Sequence, residues 1–225
     1  MWDIVYFVKE GENNEQLRYS LRSLVNYPHS TVWVYGYCPA WCVPDKYVHV
    51  RQDQANKWLN VVKMIKLVCE NNKISKNFLL FNDDFYVMGK IKHPVNYYNG
   101  DLYKRIVTIE DKFERITPYS QQLRDCCKEL EGMGCNTRNF TLHVPMLINR
   151  KKALEVLRIS DSPMFRSIYG NYCNIKAEPL HDVKIVSTNK TYKSGKYLST
   201  DDNSFAGMVG EQIKAIFTDK SKYEI

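Results

Sequence analysis

Two adjacent carboxylates and an amide stand directly after an apolar run, in the sequence NFLLFNDD at positions 77–84. Carboxylate and amide oxygens are the ligands that a hard divalent cation prefers, and such a cation can bridge the phosphates of a nucleotide. Side chains alternate along an extended segment, so Asn82 and Asp84 are expected to point one way and Asp83 the other. The same residue types often form turns after strands, so spacing alone leaves a capped turn and a cation site equally open.

Four further side chains are candidates for chemistry, each with a structural alternative. His143 lies in an apolar stretch and is a metal ligand, a general base or a hydrogen-bonded structural residue. His181, followed by Asp182, is a ligand or part of an ordinary turn. Arg166 has the planar fork that suits phosphate, or it is a surface cation on a helix. Asp201, in the sequence TDDN, is a second acidic candidate or the cap of the helix that follows.

The composition is that of a globular protein, with 225 residues, 13% aromatic residues and a net charge of +7. A basic balance favours phosphate-bearing partners, although a solvated basic surface explains it as well. Seven cysteines lack zinc-type or CxxC spacing, which favours a reduced, cytoplasmic setting, and we expect neither a secretion signal nor a membrane span. The sequence has no P-loop and no GxGxxG motif, which counts against P-loop NTPases and dinucleotide-dependent oxidoreductases. It has no GxSxG motif that would indicate a serine hydrolase.

The elements that must position these residues alternate between strand and helix in the first part of the chain. Apolar runs and helical periodicity predict strands at 3–8, 31–38, 47–52 and 77–81, with helices at 14–25 and 58–69. This alternation is typical of a single α/β domain with a mostly parallel sheet and helices on both faces. Ligands of such sheets bind at the carboxyl ends of the strands, where Asn82, Asp83 and Asp84 fall.

The remainder of the chain is less regular, and its elements are predicted with shorter patterns. We expect a loop around 94–103, a helix near 118–131, a strand at 141–148, helices at 149–158 and 163–173, an extended segment at 183–187 and a helix at 205–217.

Three stretches, taken in order, resemble a known group of enzymes. They are RYSLRSL at 18–24, PAW at 39–41 and FNDDFY at 81–86. In order and spacing they resemble Stealth-type sugar-phosphate transferases and related nucleotide-sugar glycosyltransferases of the GT-A fold. The segments at 165–171 and 182–184 are similar to stretches of small phage-encoded members of this group. The resemblance implies a GT-A-like Rossmann-type sheet, with residues 1–90 binding the nucleotide sugar and residues 91–225 completing the active site and the acceptor site.

The resemblance also implies roles for particular residues. In those families a strand-terminal acidic motif binds the metal and the donor diphosphate, which assigns that role to Asp83 and Asp84. His143, in a His-x-Pro context, belongs to the active region, and Asp201 matches a terminal acidic motif that brings a further carboxylate. One departure is Lys9, where the Stealth pattern carries an acidic residue or Asn, and it leaves ordinary glycosyl transfer at least as favoured as phosphodiester formation.

The sequence thus predicts a metal-dependent glycosyltransferase that uses Mg or Mn and a nucleoside diphosphate sugar. Metal ligands are expected among Asp83, Asp84 and His181, with Asn82 in support. Leaving-group charge is expected to be balanced by Arg166, Lys57 or Lys9, and His143 or Asp201 to act as base.

The acceptor is the least constrained part of this hypothesis. It is a hydroxylated pyrimidine in phage DNA or, alternatively, a saccharide such as a surface polysaccharide, which a Stealth-type sugar-1-phosphate transferase would modify. A non-catalytic nucleotide-sugar-binding module and a metal-dependent nuclease are the alternatives from other classes.

Overall fold

A computed structural model describes residues 1–54 and 57–225 of the chain. Its strands are β1 (Asp3–Val8), β2 (Val32–Gly36), β3 (Lys46–His49), β4 (Asn77–Asn82), β5 (Phe85–Val87), β6 (Asn96–Tyr98), β7 (Met146–Asn149), β8 (Ala177–Pro179), β9 (Lys184–Ile185) and β10 (Tyr197–Thr200). Its helices are α1 (Glu15–Ser23), extended by a 3-10 turn at Leu24–Asn26, α2 (Lys57–Glu70), α3 (Leu102–Phe113), α4 (Pro118–Gly132), α5 (Arg150–Ile159), α6 (Phe165–Tyr172), α7 (Asp202–Phe205) and α8 (Met208–Ile216). The strands and helices predicted for the first 81 residues are therefore present.

The central sheet has the strand order β3-β2-β1-β4-β7. β1 pairs in parallel with β2 on one side and β4 on the other, so that Ile4 lies between Val32 and Leu79. β7 runs antiparallel to β4. The sheet is thus mostly parallel, and β1, β2 and β4 bring their carboxyl ends to one edge, where ligands of α/β sheets bind.

Two apolar cores lie on the two faces of this sheet. Because side chains alternate along a strand, Tyr6 and its neighbours Ile4 and Val8 pack with Leu17 and Leu21 of α1. The other face of β1, including Phe7, packs in a larger core with residues of α2, α3, α4, α5 and α6. Helices cover both faces of the sheet, as predicted.

A second, three-stranded sheet of β5, β10 and β9 begins at the carboxyl end of β4. Asp83 and Asp84 form a turn between β4 and β5, and β5 pairs antiparallel with β10, which pairs in parallel with β9. In this register Ser199 lies opposite both Phe85 and Lys184. The pairing therefore brings Lys184 and Ser199, which are 100 and 115 positions from Asp84 in the chain, to the acidic turn.

The strand predicted at 141–148 is wrong over its first part, because only Met146–Asn149 is a strand. Pro145 has no backbone N–H to donate to a ladder, and the backbone N–H of His143 donates instead to the Asp182 carboxylate at 3.2 Å. His143 consequently belongs to a loop that leads into β7.

The region predicted as a loop at 94–103 contains β6 and the beginning of α3, a helix that was not predicted. Asp101 caps this helix by accepting the backbone N–H of Tyr103 at 2.7 Å. Leu102, Ile106 and Ile109 form its buried face.

The helix predicted at 205–217 is present as α8, which begins at Met208, and the separate short helix α7 precedes it and shares only Phe205 with the predicted range. Gly207 lies at the break, and a Cβ placed there would be 2.4 Å from the carbonyl oxygen of Thr188. No helix in residues 1–54 and 57–225 is long and apolar enough to cross a bilayer. All seven cysteines are free thiols.

Candidate active site

The acidic motif forms a tight turn at the carboxyl end of β4. Asn82 is the last residue of β4 and Phe85 the first of β5, so Asp83 and Asp84 alone make the connection. The two aspartates are not in a strand, so the alternation that was expected to place Asn82 and Asp84 on one side does not apply. The turn keeps both carboxylates together at the edge where a ligand is expected.

Asp84 has one oxygen that is well satisfied and one that is not. Its Oδ2 accepts hydrogen bonds from Lys184 Nζ at 2.9 Å and from Ser199 Oγ at 3.2 Å. Its Oδ1 is buried and has no hydrogen-bond partner among the residues that the structure describes. A buried carboxylate oxygen without a donor is costly, and an arriving cation would relieve that cost.

The ionised form of Asp83, the neighbouring carboxylate, is also disfavoured. Burial, followed by repulsion from the Asp84 carboxylate and then from Asp202, raises the pKa of Asp83 to about 7, against a smaller opposing effect of Lys184. Two like charges in one desolvated turn disfavour each other's ionised form. The turn is therefore short of positive charge although Lys184 is already present.

The residues present fit a divalent cation of a particular kind. In residues 1–54 and 57–225 no group of three or more His, Cys, Asp or Glu side chains is arranged to hold a metal. His181, predicted as a ligand, is exposed and is not grouped with Asp83 and Asp84. Magnesium commonly binds through one or two carboxylates together with substrate phosphates, and Asp83 with Asp84 matches that pattern.

A histidine and an aspartate form a second polar pair. Asp182 accepts a hydrogen bond from His143 Nδ1, with distances of 3.0 and 2.8 Å to its two oxygens. Burial acts to raise the pKa of Asp182, but the side-chain hydrogen bond and charge of His143 outweigh it and the pKa is lowered. Since an ionised carboxylate only accepts hydrogen bonds, Nδ1 carries the hydrogen, and in the neutral ring Nε2 is left as the basic nitrogen.

Arg166 lies between the acidic turn and this pair. Its Nη1 donates to the carbonyl oxygens of Leu142 and Val144 at 2.9 and 2.8 Å, and its guanidinium stands 5.4 Å from the centre of the Phe85 ring. Burial lowers the pKa of Arg166 to about 10, opposed by the negative charges of Asp84 and Asp182. Arg166 is thus not a solvated surface cation, and its guanidinium group is partly occupied by hydrogen bonds to backbone carbonyl oxygens.

A cavity of about 300 Å³ lies beside the acidic turn, but Asp83 and Asp84 do not line it. Asn82, His143 and Arg166 line it, and the Phe85 ring contacts the His143 ring edge-on with centres 6.4 Å apart. The opposite wall includes Trp58 and Tyr119, whose rings stack with centres 6.3 Å apart. The cavity therefore combines a basic nitrogen and a guanidinium with flat aromatic surface, and both features suit hydroxyl-rich or aromatic rings.

The other predicted site residues are Asp201, Lys9 and Lys57. Asp201 caps α7, since its Oδ1 accepts the backbone N–H of Ser204 at 2.8 Å. Lys9 is exposed just beyond β1. Lys57 is exposed at the start of α2, with Nζ 4.9 Å from the centre of the Trp58 ring. The cap alternative considered for Asp201 is confirmed, while a role for Lys9 or Lys57 stays a prediction.

Sequence reasoning missed several residues of the site. Lys184 was predicted only as part of the segment at 182–184, Asp182 only there and as the neighbour of His181, and Ser199 was not predicted as a site residue. Their contacts depend on strand pairing and loop packing, for which local spacing carries no signal. Trp58 and Tyr119 belong to predicted helices, but nothing in helical periodicity distinguishes a cavity-facing aromatic residue from a core one.

Comparison with known proteins supports the fold. No protein-family model matches the chain, and no curated protein sequence matches it. Eighteen chains of solved structures do match. One is the galactosyltransferase LgtC, in a crystal structure of its complex with donor and acceptor sugar analogues; it aligns over 98% of this chain and 98% of its own, with a TM-score of 0.50 and 11% sequence identity.

At 11% identity this likeness is one of fold. The chain is an α/β domain with a mostly parallel central sheet and helices on both faces, of the GT-A-like type seen in LgtC. The predicted fold class is therefore confirmed, whereas the resemblance to Stealth-type and phage-encoded enzymes stays a prediction.

Proposed function

We propose that this protein is a metal-dependent glycosyltransferase that moves a sugar from a nucleoside diphosphate sugar to an acceptor hydroxyl. The observation that carries the proposal is the Asp83–Asp84 turn, which lies at the carboxyl edge of a GT-A-like sheet. Asp84 Oδ1 has no donor within the described residues, and the pKa of Asp83 is raised to about 7, although Lys184 is paired with Asp84. Carboxylates whose charge the chain only partly balances are more typical of a binding site than of a structural turn.

Asp83 and Asp84 would hold Mg or Mn together with the donor diphosphate. When bound, such an ion would supply positive charge that stabilises the leaving diphosphate. Asn82 lies beside the same cavity and would contact the donor. Arg166 would add long-range positive charge, while exposed Lys9 and Lys57 would approach the phosphates only after a movement of their flexible side chains. In this scheme residues 1–90 form most of the donor side.

His143 is the better candidate for the base, and residues 91–225 would supply the acceptor side. Asp182 orients the imidazole through Nδ1, so Nε2 can take the proton from the attacking hydroxyl as the new glycosidic bond forms. Asp201, the other candidate, already accepts the backbone N–H of Ser204 at the start of α7. Using Asp201 as a base would therefore weaken a helix cap.

The acceptor remains one of two classes. The aromatic wall of Trp58 and Tyr119 would stack against a sugar ring or against a hydroxylated pyrimidine extruded from phage DNA. The related fold of LgtC was solved with a sugar analogue as acceptor, which supports the saccharide. The charge of +7 supports DNA. Retention on duplex DNA that falls steeply with added salt would favour DNA; salt-insensitive or absent retention would favour a saccharide.

The proposed function is tested by a screen of nucleotide sugars for thermal stabilisation with and without Mn²⁺. We expect at least one nucleoside diphosphate sugar to raise the Tm in a metal-dependent way, and Asp84→Asn to remove the effect. Asp111→Asn, which changes an exposed aspartate on α3, is the matched control. Equal stabilisation of the Asp84→Asn variant would contradict the proposal. Stabilisation without transfer to any acceptor or water would favour the non-catalytic binding module.

A further inference from the structure

Lys184 occupies an unusual position for a surface-strand lysine. It lies in β9, and its Nζ donates to Asp84 Oδ2 at 2.9 Å. Its side chain is 21% exposed and that of Asp84 is 14% exposed. An ion pair so far removed from water is screened much less than a surface pair. Lys184 is therefore a permanent part of the electrostatics of the acidic turn.

The two carboxylate oxygens of Asp84 differ in their hydrogen bonding. Lys184 Nζ and Ser199 Oγ both donate to Asp84 Oδ2, so this oxygen is satisfied within the chain. Asp84 Oδ1, which has no donor among the described residues, and the Asp83 carboxylate remain for a ligand. A divalent cation bound at these oxygens would not compete with Lys184 for Asp84 Oδ2, although the turn would have to move to expose the buried Oδ1.

The ammonium group nevertheless opposes a second cation. With both carboxylates ionised, Asp83 and Asp84 carry two negative charges, and Lys184 cancels one of them. Arg166 adds further positive charge toward Asp84. Asp202 adds negative charge toward Asp83, and Asp201 also interacts with the charge of Lys184. A site with two protein carboxylates, one of them already paired with an ammonium group, binds Mg or Mn weakly by itself. A diphosphate would bring both the missing ligands and the missing charge.

We propose that Lys184 is a built-in counter-ion that prevents the Asp83–Asp84 turn from holding a divalent cation tightly until a diphosphate arrives. This inference rests on the proposed function. It makes Lys184 a positioning residue that couples metal binding to donor binding. When both carboxylates are ionised, the Lys184 ammonium balances half of their charge in the donor-free protein, and the metal and the phosphates then bind together.

The test is Mn²⁺ binding without any nucleotide, followed by the electron paramagnetic resonance signal of free Mn²⁺. We expect the Lys184→Gln variant, which keeps a hydrogen-bond donor but not the charge, to bind Mn²⁺ at least about tenfold more tightly than the wild type. Lys184→Arg, which keeps the charge, should stay within about threefold of the wild type. Lys222→Gln is the matched control, because Lys222 Nζ lies 3.9 Å from Asp45 in an exposed pair remote from the turn.

An unchanged or weaker Mn²⁺ affinity in Lys184→Gln would overturn the inference. If that variant does not fold, the wild type gives the second measurement: its Mn²⁺ affinity should rise at least about tenfold when uridine diphosphate or guanosine diphosphate is added. Tight Mn²⁺ binding by the wild type alone would also overturn the inference. The two failures are distinguishable, because loss of the proposed function requires that no nucleotide sugar stabilises the protein, whatever Lys184 does.

Discussion

Two buried charged clusters of this molecule are built in opposite ways. In the first, Arg22 of α1 donates from Nε and Nη2 to the two oxygens of Glu224 at 2.9 and 2.8 Å. Glu224 also accepts the backbone N–H of Ser221 at 2.9 Å. In the second, Asp84 keeps one buried oxygen without a donor in the described part of the chain, and Asp83 lies beside it with a raised pKa.

The difference separates a structural cluster from a binding cluster. Burial acts to raise the pKa of Glu224, but the hydrogen bonds from Arg22 and Ser221 outweigh this effect and the pKa is lowered. The folded state therefore stabilises the ionised carboxylate of Glu224. The folded state of the acidic turn disfavours its own charge. A charge that the chain has satisfied stabilises the fold, whereas one that it leaves unsatisfied is available to a ligand.

The largest effect that this comparison predicts is on stability at the structural cluster. Glu224→Gln should lower the free energy of unfolding by about 3 kcal/mol, because it leaves the buried Arg22 guanidinium without its partner charge. Chemical denaturation at pH 7 measures this change. The stabilisation of the folded fraction by Mn²⁺ and a nucleotide sugar should be unaltered.

The matched control is Glu211→Gln, which changes an exposed glutamate of α8 and should move stability by no more than about 0.5 kcal/mol. If Glu224→Gln instead removed donor binding while leaving stability intact, the assignment of the two clusters would be reversed.

The next effect concerns the His143–Asp182 pair, which shares a feature with each cluster. Its carboxylate is hydrogen-bonded within the chain, whereas Nε2 of His143 is left to act on a ligand. His143→Asn should lower kcat about 100-fold, because the proton of the acceptor hydroxyl would lose its base, while the KM for the donor stays nearly constant. Asp182→Asn should lower kcat in the same direction, because the ring would lose the carboxylate that fixes its tautomer. Steady-state kinetics with the donor found in the screen provide the measurement.

His93→Gln, at an exposed histidine, is the control for these variants. An unchanged kcat in His143→Asn would exclude His143 as the base and return attention to Asp201. A loss of kcat that is confined to Asp182→Asn would mean that Asp182 acts on the substrate and not through the imidazole.

Much of the fold could be predicted because its signals are local. Each of these signals lies within about a dozen consecutive residues. This holds for the apolar runs of β1 and β4 and for the apolar stripes of α1 and α2. Even α3 carries a signal, since Asp101 precedes Leu102, Ile106 and Ile109 at helical spacing. The break between α7 and α8 at Gly207 was not predicted, and the close approach of the distant Thr188 carbonyl group to Gly207 leaves no local signal.

The candidate site was predictable only where its residues adjoin one another in sequence. Asn82, Asp83 and Asp84 stand together, and the rule that ligands bind at carboxyl ends of strands found them. Lys184 reaches Asp84 from 100 positions away, and Asp182 reaches His143 from 39. These contacts follow from the β9–β10 pairing and from loop packing, which no local pattern of residue types encodes.

The smallest predicted effect tests the charge of the acidic turn directly. The pKa of Asp83 is raised to about 7 in the folded protein, while an unfolded aspartate titrates near 4. Between these values the folded state binds a proton that the unfolded chain has released, so Asp83 lowers stability as the pH rises from about 4 to about 7, and its full cost persists above 7. A pKa rise of about 3 corresponds to about 4 kcal/mol, and solvent screening reduces this figure because Asp83 is only partly buried. Asp83→Asn should therefore be more stable than the wild type at pH 8, by about 2 kcal/mol in EDTA, with no difference near pH 4.

Adding the ligand should reverse this order, which distinguishes a binding cluster from a poorly built turn. With Mn²⁺ and the donor present at pH 8, the wild type should gain stability through its ionised Asp83, and Asp83→Asn should gain much less. Paired denaturation curves with and without ligand, at pH 4 and pH 8, measure both effects. If Asp83→Asn were instead less stable in EDTA at pH 8, its carboxylate would be holding the turn together as Glu224 holds the C-terminal segment. The contrast between the two clusters would then disappear.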